Sequence, residues 1–98
     1  HVPFWLTGED KGNNWKHLEW FGYYYLINSA SAWIYHSKLG WIYLIENNTD
    51  SFWSFIKGHG WVWSKKDFFS RVYQSEGEKW IFLHKDKYFD YSIGEWVE

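Results

Sequence analysis

A short motif recurs at a spacing that leaves this chain little freedom in how to fold. Ala32-Trp33-Ile34-Tyr35, followed by Gly40-Trp41-Ile42-Tyr43, returns 20 residues later as Phe52-Trp53-Ser54-Phe55, followed by Gly60-Trp61-Val62-Trp63. In both copies a Gly stands directly before the second Trp. Looser copies run from Tyr73 to Trp80-Ile81-Phe82 and from Tyr88 to Trp96-Val97. Such a length makes one β-hairpin, and an isolated hairpin is marginal in water. The copies must therefore stand side by side to bury anything. The expected fold is all-β: an antiparallel meander of about 20-residue Trp-rich β-hairpin repeats, with an extended N-terminal arm.

Runs of aromatic and β-branched residues, broken by Gly, Asn, Asp, Ser and Lys, predict nine strands. They lie near Trp20–Asn28, Ala32–His36, Trp41–Glu46, Ser51–Lys57, Trp61–Ser64, Ser70–Gln74, Lys79–His84, Tyr88–Tyr91 and Glu95–Val97. Gly near the end of the intervening loops suits the positive φ that short hairpin turns need. Ser64-Lys65-Lys66-Asp67 and the Asn14-Trp15 step are the two places where a single helical turn could start. Side chains alternate faces along a strand. Trp33, Tyr35, Trp41, Tyr43, Trp53, Phe55, Trp61 and Trp63 can then share one face, while Ala32, Ile34, Ile42, Leu44, Ile56 and Val62 take the other. The aromatic ladder is either the core or an exposed platform, and parity does not choose between them.

Composition sharpens that question. Ten Trp, 8 Tyr and 8 Phe stand among 98 residues. Each ring offers roughly 150–250 Å² to bury. A chain of this length folds to a radius of roughly 13 Å, too thin to hide them all, so some rings lie on the surface or against a partner. Ten bases against 12 acids leave a net charge of −2. That balance argues against nucleic acid as a partner, since phosphate-backbone affinity needs clustered Lys and Arg. Lys65, Lys66 and Arg71 read as a solvated face. No apolar run approaches the roughly 20 residues of a membrane-spanning helix. Zero Cys removes disulfides, thiolate nucleophiles and Cys-ligated zinc. Zero Met predicts a processed or excised chain.

Residues 1–14 read as an arm and linker ahead of a single hairpin domain, residues 15–98. Val2, Phe4, Trp5 and Leu6 make the arm apolar, and Pro3 biases Val2 towards extended backbone. The stretch from Thr7 to Asn14 reads as a polar linker. Such an arm can dock on the open sheet edge of another subunit or fold back on its own domain.

Trp20-Phe21-Gly22, Ala32-Trp33-Ile34-Tyr35-His36 and Leu39-Gly40-Trp41-Ile42-Tyr43-Leu44 belong to a wider pattern. It continues through Gly60-Trp61-Val62-Trp63-Ser64 and the run from Tyr88 to Val97. Over residues 15–98 the chain resembles a recurring aromatic C-terminal domain of large secreted or surface proteins of planctomycete- and verrucomicrobia-like bacteria. Where members of that family often carry a Pro, this chain reads Asp67-Phe68-Phe69-Ser70. The hairpins are also weakly similar to choline-binding repeats of cell-wall proteins, whose Gly-Trp and Trp-Tyr-Tyr motifs build aromatic cages. Both resemblances imply an extracellular or cell-surface setting, and neither brings catalytic residues.

Catalysis finds little support. Glu46, Asp50, Asp67, Glu76, Glu78, Asp86 and Glu95 sit at expected turns, where they read as solubilising charge, whereas a glycosidase needs two carboxylates flanking a cleft. His36, His59 and His84 fall at strand ends and could converge, but no close His spacing marks a metal site. His1 matches the terminal histidine of a copper brace only as an isolated residue. Asn47-Asn48-Thr49 is a glycosylation sequon. No cofactor or metal is expected. The function expected from these observations is an extracellular bacterial structural protein that self-associates through aromatic surfaces and strand edges, as a homo-oligomer, a filament subunit or a surface anchor. The alternative is a module that binds cell-wall glycan on an exposed Trp platform, as Trp and Tyr stack on sugars and dominate interfaces alike.

Overall fold

The computed structural model describes residues 2–98. His1, read above as an isolated copper-ligand candidate and as the first residue of the arm, lies outside them. A 3-10 turn at Phe4–Leu6 precedes the strands. These are β1 (Glu9–Gly12), β2 (Trp15–Leu18), β3 (Gly22–Leu26), β4 (Trp33–His36), β5 (Gly40–Glu46), β6 (Ser51–Ile56), β7 (Gly60–Lys65), β8 (Arg71–Gln74), β9 (Lys79–Leu83), β10 (Tyr88–Asp90) and β11 (Glu95–Val97). They form one antiparallel sheet in strict sequence order, β1 to β11. The all-β hairpin meander is what the repeats required. The two strongest copies are neighbours, with β5 paired to β6 through Tyr43↔Phe55 and Ile45↔Trp53.

Gly40 and Gly60, the residues before the repeated Trp, sit at φ +78° and +75°. No L side chain is comfortable there. Each closes its hairpin, opposite His36 and Ile56 respectively.

Ten inter-strand gaps of about 4.8 Å would spread a flat sheet over about 48 Å. The molecule measures 40 × 25 × 21 Å, with a radius of gyration of 13.3 Å, so the sheet coils upon itself. The inner face carries the predicted aliphatic set: Ile34, Ile42, Leu44, Ile56 and Val62 are buried, with Leu26, Val72, Ile81 and Leu83 continuing it. Phenylalanines and Trp20 fill the mouth of the coil. Phe4 packs at 5.0–5.3 Å from the rings of Trp20, Phe21 and Phe52. Phe69, whose peptide bond to Ser70 is cis, closes on Phe21 at 5.0 Å. Phe69 belongs to the turn at 66–70, where no helix forms.

The N-terminal segment departs from expectation. Instead of an extended arm, Phe4–Leu6 turns back and covers the mouth of its own sheet. Trp5 is 6% exposed, and the Tyr24 hydroxyl donates a hydrogen bond to its carbonyl, 2.7 Å. Pro3 stands at the N-cap with φ −59°, where a missing N–H costs nothing. The Phe4 N–H donates to Glu46 Oε2 at 3.0 Å. Of the four arm residues, Val2 remains exposed; Phe4 and Leu6 pack against the core. The physical reason is that coiling leaves apolar surface open within reach of the segment, so local burial wins.

The expected linker is also structured. Glu9–Gly12 pairs with Trp15–Leu18 as a further hairpin, joined by Asn13 and Asn14 at φ 55° and 70°. Two successive left-handed residues define the tight turn that hairpins favour, and Asn tolerates that region better than most residues. Asn13-Asn14 was the available signal, hidden by the charges of β1.

Candidate functional site

Every residue of the expected ladder lies on the outer face, opposite the core. Trp33, Tyr35, Trp41, Phe55 and Trp61 are 38–49% exposed, while Tyr43, Trp53 and Trp63 are half-buried between neighbours. The ladder is thus not the core, which lies behind it and combines the aliphatic strand face with Trp5, Phe21, Tyr24 and Phe52.

Register arranges the rings in stepped rows. One row runs Trp15, Tyr25, Tyr35, Trp41 across β2 to β5. The next runs Trp33, Tyr43, Phe55, Trp61 across β4 to β7. A third runs Trp53, Trp63, Tyr73, Trp80 across β6 to β9. Phe82, Phe89 and Trp96 finish the band across β9 to β11. Adjacent rings meet edge to face: Trp33 and Tyr43 at 5.2 Å, Tyr35 and Trp41 at 5.4 Å, Phe55 and Trp61 at 5.6 Å. Such pairing holds each ring at a fixed tilt. It makes the face a rigid corrugated surface, with the alternate rings left open to a partner.

A groove of about 540 Å³ interrupts this face, lined by Trp33, Leu39, Gly40, Trp41, Phe55 and Lys57. Gly40 adds no side chain to it, and Leu39 and Lys57 come from the β4–β5 and β6–β7 turns at its border. Three rings and an aliphatic wall receive an apolar or ring-shaped surface, and one ammonium stands at the rim.

The histidines do not converge as a group. His36 is buried on the inner face. Its Nδ1 accepts from the Lys38 N–H at 3.1 Å, which leaves Nε2–H to donate to the Phe21 carbonyl at 2.6 Å. Burial holds it below the usual histidine range, despite that carbonyl. His59 and His84 line a common second cleft of about 310 Å³, His59 against Tyr88 and His84 against Trp96. Burial and then the Lys79 charge push His59 down as well. Among the described residues no group of three or more His, Cys, Asp or Glu could hold a metal ion.

Asp90 is the acid with the most structured surroundings. Its carboxylate accepts from Lys79 Nζ at 2.7 Å and from the Ser92 N–H and hydroxyl at 2.9 and 2.6 Å. These bonds, Lys79 first, hold it at about 2; the Ser92 bonds fasten the β10–β11 turn, and the Lys79 bond ties it to β9. Its role is structural. No helix is long and apolar enough to cross a membrane.

Comparison with protein-family models, with curated proteins and with solved structures returns no match. The class defined by the fold and the site is a single-sheet β-hairpin meander whose core mixes aliphatic and aromatic side chains and whose outer face carries a separate aromatic band.

Proposed function

We propose that this chain is a non-catalytic module of an extracellular bacterial surface protein that binds glycan on its outer aromatic face. The observation that carries the reading is the groove at Trp33, Trp41 and Phe55, where exposed rings stand beside the single ammonium of Lys57. Pyranose rings present apolar faces that Trp and Tyr cover well. The resemblance of residues 15–98 to surface-protein domains supports the extracellular setting. Self-association through the same face is the second reading, favoured by a band of exposed rings that continues beyond the groove to Trp80 and Trp96. Strand exchange has less behind it. The arm is folded back, and both sheet edges are short: β1 carries Glu9 and Asp10, β11 is only three residues. Short, charged edges are how sheets avoid pairing.

Retention on an immobilised cell-wall polysaccharide, read beside sizing over a range of concentrations, tests the choice. The expected result is a monomer that is retained, with retention lost on Trp41→Ala. A mass that rises with concentration, with no retention, would establish self-association in its place.

A further inference from the structure

The second cleft lies against the aromatic groove, and the two share Leu39 and Lys57. Its lining gathers Lys38, Lys57, Lys85 and Lys87 with His59 and His84, against two acids, Asp86 and Glu98. Four of the ten bases of a chain with net charge −2 therefore crowd one spot. None of the four lysines forms an ion pair among the described residues. Lys87 instead stands 4.8 Å over the Trp96 ring, a cation–π contact that holds the ammonium without neutralising it.

This concentration is a product of the fold. In a meander, the β4–β5 and β6–β7 turns lie at one end of the strands and the β9–β10 turn at the other. Coiling of the sheet brings residues 84–87 round to Lys38 and Lys57, with His59 packed edge-on against Tyr88 at 4.8 Å.

From this juxtaposition we propose that the two cavities form one continuous site for an acidic polysaccharide, a polymer whose sugar rings carry uronate carboxylates or sulfate esters. The proposal rests on the glycan reading above and names the ligand class. Sugar rings stack on Trp33, Trp41 and Phe55, while anionic substituents meet the unpaired ammoniums beyond Lys57. The charge is confined to one cleft and flanked by Asp86 and Glu98, and the whole chain is acidic. That layout suits a few spaced anions on a glycan rather than the dense phosphate track of a nucleic acid, which needs a basic groove along its length.

The test is titration calorimetry on the intact chain with four probes: a polyuronate oligosaccharide (alginate), a neutral hexasaccharide (cellohexaose), polyglutamate and single-stranded DNA. Alginate should bind at least tenfold more tightly than each of the others and weaken as salt is raised. The K57Q/K85Q double variant, at two exposed positions and checked for folding by its Trp fluorescence, should lose at least tenfold in alginate affinity and about half of the salt dependence, as two of the four lysines remain. Trp41→Ala should weaken alginate to a similar extent. Polyglutamate or DNA binding as tightly as alginate would overturn the proposal, as would a double variant that binds unchanged. Cellohexaose binding as well as alginate, and through Trp41, would overturn the acidic ligand and leave the glycan platform standing. No saccharide binding at all, with dimerisation on sizing, would remove both.

Discussion

At the scale of single residues, the most telling atom is the Ser54 hydroxyl oxygen. It sits on the inner face, opposite Leu44 and Val62, buried and without a hydrogen-bond partner among the described residues. An unpaired buried hydroxyl costs on the order of 1–3 kcal/mol. Ser54→Ala should therefore leave stability unchanged or raise it by about 1 kcal/mol in denaturant unfolding, and a loss above about 1 kcal/mol would show an unrecognised partner. Titration gives a second expectation. His36 and His59 are both held below their usual value of 6.5. The unfolded chain then binds more protons below that pH, so stability falls as pH drops from 6.5 towards the lower folded values. A further loss comes with Asp90, between its usual 3.8 and about 2. On the alkaline side burial pushes Tyr24 up to about 12; folding then costs more as pH rises from 10 towards 12. Melting temperature should peak between pH 6.5 and 10. A Tyr24→Phe variant should lose Tyr24's share of the alkaline limb, leaving the part from Lys79, which its bond to Asp90 raises, and, with its bond to Trp5, about 1 kcal/mol.

The hairpin is the element in which backbone and side chain can be separated cleanly. A Cβ added to Gly40 would meet nothing within 4 Å, so Gly40→Ala tests the φ of +78° alone. It should cost about 1–2 kcal/mol, measured by chemical denaturation. A neutral result would mean that the turn relaxes to another form at no expense. The same substitution at Gly60 meets Glu76 Oε2 at 3.1 Å and so mixes the two effects. At this scale the sequence was largely legible. β4 to β11 fall within two residues of their predicted spans, because each carries aromatic alternation between turn residues. β1 and β2 were not legible: four exposed residues, Glu9–Gly12, offer no hydrophobic period. They form a strand because the Asn13-Asn14 turn sets them beside β2.

For the whole molecule the decisive feature is the coil of the sheet and the plug that fills it. Trp5 and Phe4 join strands distant in sequence, from Phe21 and Tyr24 to Phe52. Trp5→Ala should cost about 3–5 kcal/mol, as a large buried ring does. Deleting residues 2–6 should lower the melting temperature sharply and leave the sizing profile of the still-folded fraction unchanged. Loss of a higher-order species on that deletion, with stability kept, would show that the segment docks on a neighbour after all.

Alternation and the 20-residue repeat determined the sheet from β3 to β11, its strand order and which residues share a face, because β pairing between neighbours is a local matter. They could not say which face is inside. That depends on how the sheet bends, and bending sums small twists over eleven strands. Coiling towards the aliphatic side hides compact side chains that pack closely, encloses Trp5, Phe21, Tyr24 and Phe52 with them, and leaves the rings of the ladder outside. The same bend turned the N-terminal segment into a plug and carried Lys85 and Lys87 to the rim of a groove nearly thirty residues away in sequence at Lys57, a meeting that no sequence pattern encodes.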